Sequence, residues 1–393
     1  MDEIKILKGP DRIRKRPAVI FGADDIDGVI KELSIILSIF SSEAVNNPKK
    51  LTVTIYPDSS IGILSEDRGL IINEEELNGK PTWWYDFCEP SVQSRGADDS
   101  FIYNDINKNK GLFGDTEIND NDGFCEYGFF DLCCIQLASE FMDVEVIRNG
   151  RKKVLHFYKG RFISDESEEA SDSSSYTYIR FRPDTEVFSD IRIPYNTVVQ
   201  MLRDLAVTIK GLSCLVEDQR SGASDTFLFN DGITDLVKTA IGKAENHTAV
   251  YTKEITGTGK ERYNRREYTA RVRVAVAFAE SISEAVAFHN SHTLPNGGKH
   301  LQEVKAKLLK YIDYVFSDSA DRKTLCQENI EKHLVIYLDS VCPSTATRWS
   351  DVHHTAIENI MIRDIASDTI DEDFRYFLKQ NKNEICRILS ISK

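Results

Sequence analysis

The sequence predicts an α/β chain folded as two domains, and three features predict it. A helix apolar on almost every side, residues 30–44, runs into a strand hairpin at 51–64. Segments of alternating polarity recur at 144–147, 154–158, 176–184, 268–278 and 333–339, with helical patterns and turns between them. The 393 residues are enough for two ordinary cores.

Residues 1–22 form a basic arm, with Arg12, Arg14, Lys15 and Arg16 close together, and on their own read as a solvated segment. In the helix, Ile30, Leu33, Leu37, Phe40 and Ala44 recur at helical spacing, while Ile35, Ile36 and Ile39 fill most of the other side. A helix apolar nearly all round belongs inside a core. Asn46-Asn47-Pro48 breaks it. Leu51, Val53 and Ile55 then alternate with Thr52, Thr54 and Tyr56, as in a half-buried strand, and Pro57-Asp58-Ser59-Ser60 is turn chemistry. Ile61 to Leu64 returns as the second strand, ending in Ser65-Glu66-Asp67-Arg68-Gly69.

Residues 73–127 are rich in Asn, Asp and Gly and read as loop or disorder. Leu132 to Ser139 reads as a buried helix, and strands flank the Arg148-Asn149-Gly150 turn. Residues 164–175 carry five acids and no base, the pattern of a solvated surface loop. After the strand Tyr176 to Asp184, a helix from Thr197 to Leu212 closes a first domain near residue 215. The second domain opens at Phe227 to Ile233 and contains the strand Tyr268 to Phe278. A Gly297-Gly298 junction begins a helix from His300 to Phe316, and two further helices are expected at about 350–366 and 370–391.

Hydrophobic content of 41% and charged content of 28% are globular values, and no apolar run is long enough to span a bilayer. The N-terminus has no hydrophobic segment of a signal peptide. The eight cysteines form no CxxC pair, so reduced thiols in a cytosolic protein are expected. A formal charge of −14 argues against broad binding to the DNA backbone. Mimicry of DNA is disfavoured because the acids fall in loops without regular spacing. A metal site at His289, His292 and His300 is not expected, since no Cys or carboxylate sits at ligand spacing.

Several runs carry a family resemblance. Ile4 to Gly9, Ile13-Arg14-Lys15-Arg16-Pro17 and Phe21-Gly22, with the helix, hairpin and Gly69 loop behind them, resemble the opening of the B subunits of bacterial DNA gyrase and topoisomerase IV. Tyr176 to Asp184 is similar to that family's Gly-Thr-x-x-x-Phe-x-Pro strand. Phe288 to Leu301 fits its Phe-x-Asn-x(6)-Gly-Gly-x-His-Leu pattern without a gap. The resemblance implies a Bergerat-type GHKL ATPase sandwich over 1–215 and a transducer domain like ribosomal S5 domain 2 over 220–393. It covers the ATPase and transducer halves of such a protein, with no Toprim domain.

Carried over residue by residue, the resemblance rewrites the pocket. The hydrolytic glutamate falls on Ile35 and the magnesium-binding asparagine on Ile39, counting back from the strand; counting forward from Gly22 gives Ile36 and Phe40. The adenine-binding aspartate is Ser65, and the first loop glycine is Asp67. The phosphate turn falls on Cys125 to Asp131, where Gly128 alone remains and Glu126 and Asp131 repel phosphate. Thr177 matches a threonine beside the missing aspartate and reads as a strand threonine. Arg148 matches a pocket-rim arginine, Glu43 a glutamate that pairs with the loop arginine Arg68, and Arg348 stands for the lysine that reaches the γ-phosphate. Pocket remnants are therefore Glu43, Ser65, Glu66, Arg68, Gly69, Gly128, Arg148, Thr177 and Arg348. Glu43 and Asn47 also reproduce the Glu-xxx-Asn spacing two turns later, as a displaced catalytic pair.

With both catalytic positions apolar, base and metal site are lacking. The expectation is a pseudo-ATPase that needs no cofactor: a gyrase-B-like module acting through protein contacts, as regulator, decoy or subunit of a type II topoisomerase or other DNA-associated assembly. The alternative is an active ATP-binding subunit with a shifted pocket, taking ATP and Mg. Expected partners are a topoisomerase subunit or a second copy, with DNA only indirectly and no membrane, in the cytoplasm.

Overall fold

Alternating polarity and helical spacing turn into two mixed sheets, each with its own core. The computed structural model describes residues 10–44, 49–67, 69–70, 72, 76–77, 79–88, 129–170, 174–260, 267–317, 326–343, 346–351 and 355–390. Among these, one compact unit holds 10–203 and 212–228, and a second holds 204–211 and the residues from 229 on.

In the first unit, α1 (Pro10–Arg14) and α2 (Pro17–Phe21) precede α3 (Ile26–Ala44). The strands β1 (Lys50–Ile55) and β2 (Ile61–Ser65) follow, then β3 (Glu76–Leu77), β4 (Lys80–Pro81) and α4 (Thr82–Cys88). After α5 (Phe129–Ala138) come β5 (Ser139–Arg148), β6 (Arg151–Tyr158), β7 (Arg161–Glu169) and β8 (Tyr176–Pro183). The unit's last elements are α6 (Tyr195–Thr208), which runs on into the second unit, β9 (Ser213–Asp218) and β10 (Ala223–Phe227). Its eight-stranded sheet has the order β10-β9-β1-β2-β8-β5-β6-β7, antiparallel except for the parallel pair β1–β9. One face is buried by Val53, Ile63, Ile179, Val144 and Leu155, all fully inaccessible. Leu33 and Ile36 of α3 and Leu132 and Ile135 of α5 are equally buried, the other half of a two-layer core.

Four sequence expectations change. Residues 76–88 are not loop: β3, β4 and α4 form there, and Trp83 and Phe87 are buried despite the polar composition around them. Residues 161–169 are the edge strand β7, with every side chain but Phe162 exposed. An edge strand with solvent on both faces has no apolar period to betray it; here Lys153 pairs with Asp165 and Lys152 with Glu168 across the ladder. The first sheet also continues past residue 215, because β9 lies parallel to β1, with Leu51 opposite Cys214. Finally, the basic arm is not wholly solvated. Arg14 is bound to Asp184 at 2.5 Å and donates to the Leu137 carbonyl at 3.2 Å.

The second unit contains α7 (Ile233–Ile241), β11 (Tyr251–Lys260), β12 (Glu267–Phe278), β13 (Glu284–His289) and β14 (His292–Leu294). They are followed by α8 (Lys299–Val315), α9 (Gln327–Glu331), β15 (Leu334–Val341), α10 (Ile360–Asp368), α11 (Glu372–Gln380) and α12 (Lys382–Ser390). The sheet order is β11-β12-β15-β13-β14, with β13 and β15 parallel. Val272, Val274 and Val276 point to the side packed by Val304, Leu308 and Ile312 of α8 and by Phe374 and Leu378 of α11. Ala275 and Ala277 face Leu236, Val237 and Ala240 of α7 on the other side. Among the described residues three α-helices, not two, follow β15. Asp371 caps α11 by accepting the Asp373 amide, and Asn381 breaks it from α12.

Candidate functional site

After β2, the described residues Asp67, Gly69 and Leu70 are hydrogen-bonded among themselves and to β5 and β8. Asp67 is buried and its Oδ1 accepts the Gly69 amide at 2.6 Å, which closes a tight side-chain turn. Gly69 has φ of +76°, and a Cβ there would lie 2.6 Å from the Ile147 carbonyl oxygen. Glycine is thus required twice, for the backbone angle and for the close approach of β5. Arg148 Nη1 donates to the Gly69 carbonyl at 2.6 Å. On the other side, the Leu70 amide donates to Thr177 Oγ1 at 2.9 Å.

Thr177 is fully buried and stands directly opposite Ser65 in the β2–β8 ladder. Its hydroxyl is therefore occupied by loop backbone, a role the sequence did not disclose. Beside this loop lies a cavity of about 680 Å³, lined by Leu70, Ile72, Val146 and Arg148, with Arg151, Lys152 and Lys153 on its rim. Its size is that of a small-molecule site; Lys152 and Lys153 are paired with Glu168 and Asp165, and Glu169 also lines it, which leaves Arg148 and Arg151 as the cations for an anionic guest.

The helix face tells a different story. Ile35 and Ile39 are 3% and 0% exposed, and the alternative positions Ile36 and Phe40 are as deeply buried. Sequence reasoning missed Glu32. It lies one turn before Ile35 and Ile36 on the same stripe, is fully buried, and among the described residues neither carboxylate oxygen has a hydrogen-bond partner. Burial alone pushes its carboxyl well above the usual range and favours the protonated form. The available signal was an acid at a position where the helix's apolar period calls for a hydrophobe.

Not every predicted site residue can be placed. The Glu43 side chain, Asn47, Arg68 and Gly128 lie outside the described residues, and with them the Glu43–Arg68 pairing, the displaced pair and the phosphate turn. Glu66 is exposed at the end of β2. Arg348 belongs to the second unit, where it is exposed and its carbonyl accepts the Glu358 amide at 2.8 Å.

In that unit the histidines singled out above are core residues. His289 is fully buried, its Nδ1 bonded to Ser340 Oγ at 2.9 Å and its Nε2 to Thr347 Oγ1 at 3.0 Å. His300 is 1% exposed, with no partner for either ring nitrogen among the described residues. No group of residues suited to a metal occurs among the described residues. Burial depresses both imidazoles, His289 to about 3 and His300 to about 4. Their contribution to stability is therefore complete above the unfolded value of about 6.5 and is lost as pH falls through the folded values. His300→Leu should leave stability at pH 7 unchanged or higher. At pH 4.5 it should exceed the parent by about 2 kcal/mol, measured by urea unfolding.

A second prediction concerns the loop. Gly69→Ala places a methyl against the Ile147 carbonyl at a left-handed φ. The expected loss is about 2–3 kcal/mol, visible as a lower melting temperature, with hydrogen exchange speeding up first in β2 and β5.

Comparison with known proteins adds the family context. A family model described as DNA gyrase B matches residues 232–393. Over 99% of its length the chain is 23% identical to the DNA gyrase B protein of Haloferax lucentense, covering 58% of that protein. Over 97% it is 23% identical to the B protein of DNA topoisomerase 4 from Streptococcus pneumoniae, covering 55% of it. The fold match is as extensive. The 43K ATPase domain of Thermus thermophilus gyrase B superposes with a TM-score of 0.69 at 18% identity, covering 99% of this chain and 95% of that one. This chain resembles the gyrase and topoisomerase IV B proteins along its whole length. The gyrase-B-like chain spans somewhat over half the length of the curated relatives it matches. The topoisomerase IV ATP-binding domain of Francisella tularensis, with a TM-score of 0.64 and 16% identity, shares the same two-sheet architecture. The expected α/β fold, with a mixed sheet in each unit, is thereby borne out. No helix among the described residues is long and apolar enough to cross a membrane.

Proposed function

We propose that this chain is a gyrase-B-like module of a type II topoisomerase assembly, and that it binds nucleotide. The observation that carries the reading is the hydrogen-bonded turn at Asp67 and Gly69. Asp67, Gly69, Arg148 and Thr177 hold one another in a fixed arrangement beside a cavity of about 680 Å³ rimmed by cations. Of these cations, Arg148 and Arg151 offer charge-assisted bonds to phosphate, while Lys152 and Lys153 pair with Glu168 and Asp165. Extended similarity to gyrase B proteins over 96–99% of the chain supports the same reading. Such a module works in a cytoplasmic assembly with other topoisomerase chains or a second copy of itself, and reaches DNA through them.

A second reading, loss of hydrolysis, is favoured by Ile35 and Ile39. Neither side chain activates water or holds a magnesium ion, and both are sealed in the core. The two readings are compatible, because binding and turnover use different groups. Nucleotide binding by calorimetry combined with phosphate release separates them: heat without phosphate marks a module that binds and does not hydrolyse, and heat with phosphate marks an active enzyme. Arg148→Ala should weaken any nucleotide binding by about tenfold, as loss of one charge-assisted contact does. Unchanged affinity in that variant would place the nucleotide elsewhere.

A further inference from the structure

The face of the first sheet opposite Ile63, Ser65 and Thr177 carries a second cavity, of about 720 Å³. Side chains alternate between faces along a strand, so Leu64 of β2, Tyr176 and Tyr178 of β8 and Glu145 of β5 all project to this side. Leu64, Tyr178 and Glu145 stand in one row across the ladder. Lys49, Glu66, Ser174 and Ser175 complete the lining. Both tyrosines are fixed by their hydroxyls: Tyr176 donates to the Glu145 carboxylate, and Tyr178 shares a hydrogen bond of 3.0 Å with Tyr56.

We infer that this cavity receives a lysine or arginine side chain from a Lys/Arg-rich segment of a partner protein. Two tyrosine rings beside two carboxylates, with an aliphatic floor, suit the stem and head of a long cationic side chain. The same face already holds one guanidinium in this way. Arg180 lies 4.0 Å from the centre of the Tyr56 ring and 5.7 Å from that of Phe141, and donates to Ser60 and Asp58. Charge favours a basic partner. Lys152, 3.4 Å from Glu145, offsets one acid, but Glu66 and, in the row of Glu145 on β7, Glu166 are exposed, in a chain of net charge −14. Repulsion of phosphate by that charge disfavours nucleic acid as the occupant, although stacked tyrosines alone would accept bases.

The test uses the full chain and a fluorescein-labelled hexapeptide of alternating lysine and arginine, read by anisotropy at physiological salt. A hexaglutamate peptide and a short single-stranded DNA serve as competitors. The basic peptide should bind, and neither competitor should displace it. Glu66→Lys and Leu64→Arg should each weaken it by about tenfold, the second by filling the cavity with a tethered guanidinium. Glu245→Lys, at an exposed position of the second unit, should change affinity less than twofold. Circular dichroism melts check that Leu64→Arg folds; should it not, the exposed Glu66 variant alone decides. Absence of binding at millimolar peptide, equal weakening by Glu66→Lys and Glu245→Lys, or preferential binding of the DNA would each overturn the inference.

Discussion

Arg273→Met should destabilise the second unit by about 3–5 kcal/mol. Arg273 is 5% exposed in the middle of β12, and its Nη2 and Nε donate to Asp339 Oδ2 of β15 at 2.6 and 3.1 Å. It also donates to the carbonyl of Thr208, near the end of α6. Asp339 has a fully buried side chain, and among the described residues its Oδ1 has no partner. Removing the arginine leaves a buried carboxylate with nothing to balance it, and the desolvation cost of that charge falls entirely on the folded state. Arg273→Met with Asp339→Leu should recover most of the loss, because two apolar groups replace both charges. Urea unfolding combined with hydrogen exchange of the β12 and β15 amides measures both variants. A double variant as unstable as the single one would show that the Thr208 contact, and not the ion pair, carries the energy.

Glu32→Gln should stabilise the first unit increasingly as pH rises. In the fold, burial raises the proton affinity of the Glu32 carboxyl; in the unfolded chain it ionises near pH 4.5. The folded state then holds one proton more than the unfolded state, so stability is full below pH 4.5 and declines by up to about 1.4 kcal/mol per unit as pH rises toward the folded value. Glutamine has the same shape and no proton to lose. Parent and variant should match near pH 4.5, and the variant's lead should widen as pH rises above it. The buried histidines act in the opposite direction, but they are common to both proteins and cancel in the difference. Parallel stability curves from pH 4.5 to 8 would mean that Glu32 finds a partner in solution.

Much of this molecule was legible in its sequence, for reasons that also explain what was not. The burial of α3 followed from apolar residues on nearly every side, and the hairpin from strict alternation around Pro57-Asp58-Ser59-Ser60. What failed was the inference from local composition. Thr82 to Cys88 lies near an Asn- and Gly-rich stretch, and that composition outweighed its four aromatic residues. Residues 164–175 read as a loop because acids dominate, yet 164–169 belong to an edge strand, which needs no buried face and whose neighbour supplies lysines. Asn381 broke a helix that apolar spacing alone would have continued.

The candidate site divides along the same line. Apolar burial of Ile35 and Ile39 was predictable from spacing. The hydrogen bond from the Leu70 amide to Thr177 was not, because it joins residues 107 positions apart through backbone that only the fold brings together. Nor did spacing reveal that Glu32 lacks a partner among the described residues, since absence of a partner is a property of the packed state.

Nucleotide binding is the decisive measurement. Titrating the chain with ATP, and with a non-hydrolysable analogue, in the presence of magnesium should give heat of binding and a raised melting temperature for both ligands. Arg148→Ala should reduce the heat and the shift together. No heat and no thermal shift at millimolar nucleotide would overturn the proposed binding. It would leave a gyrase-B-like scaffold that works through protein contacts alone.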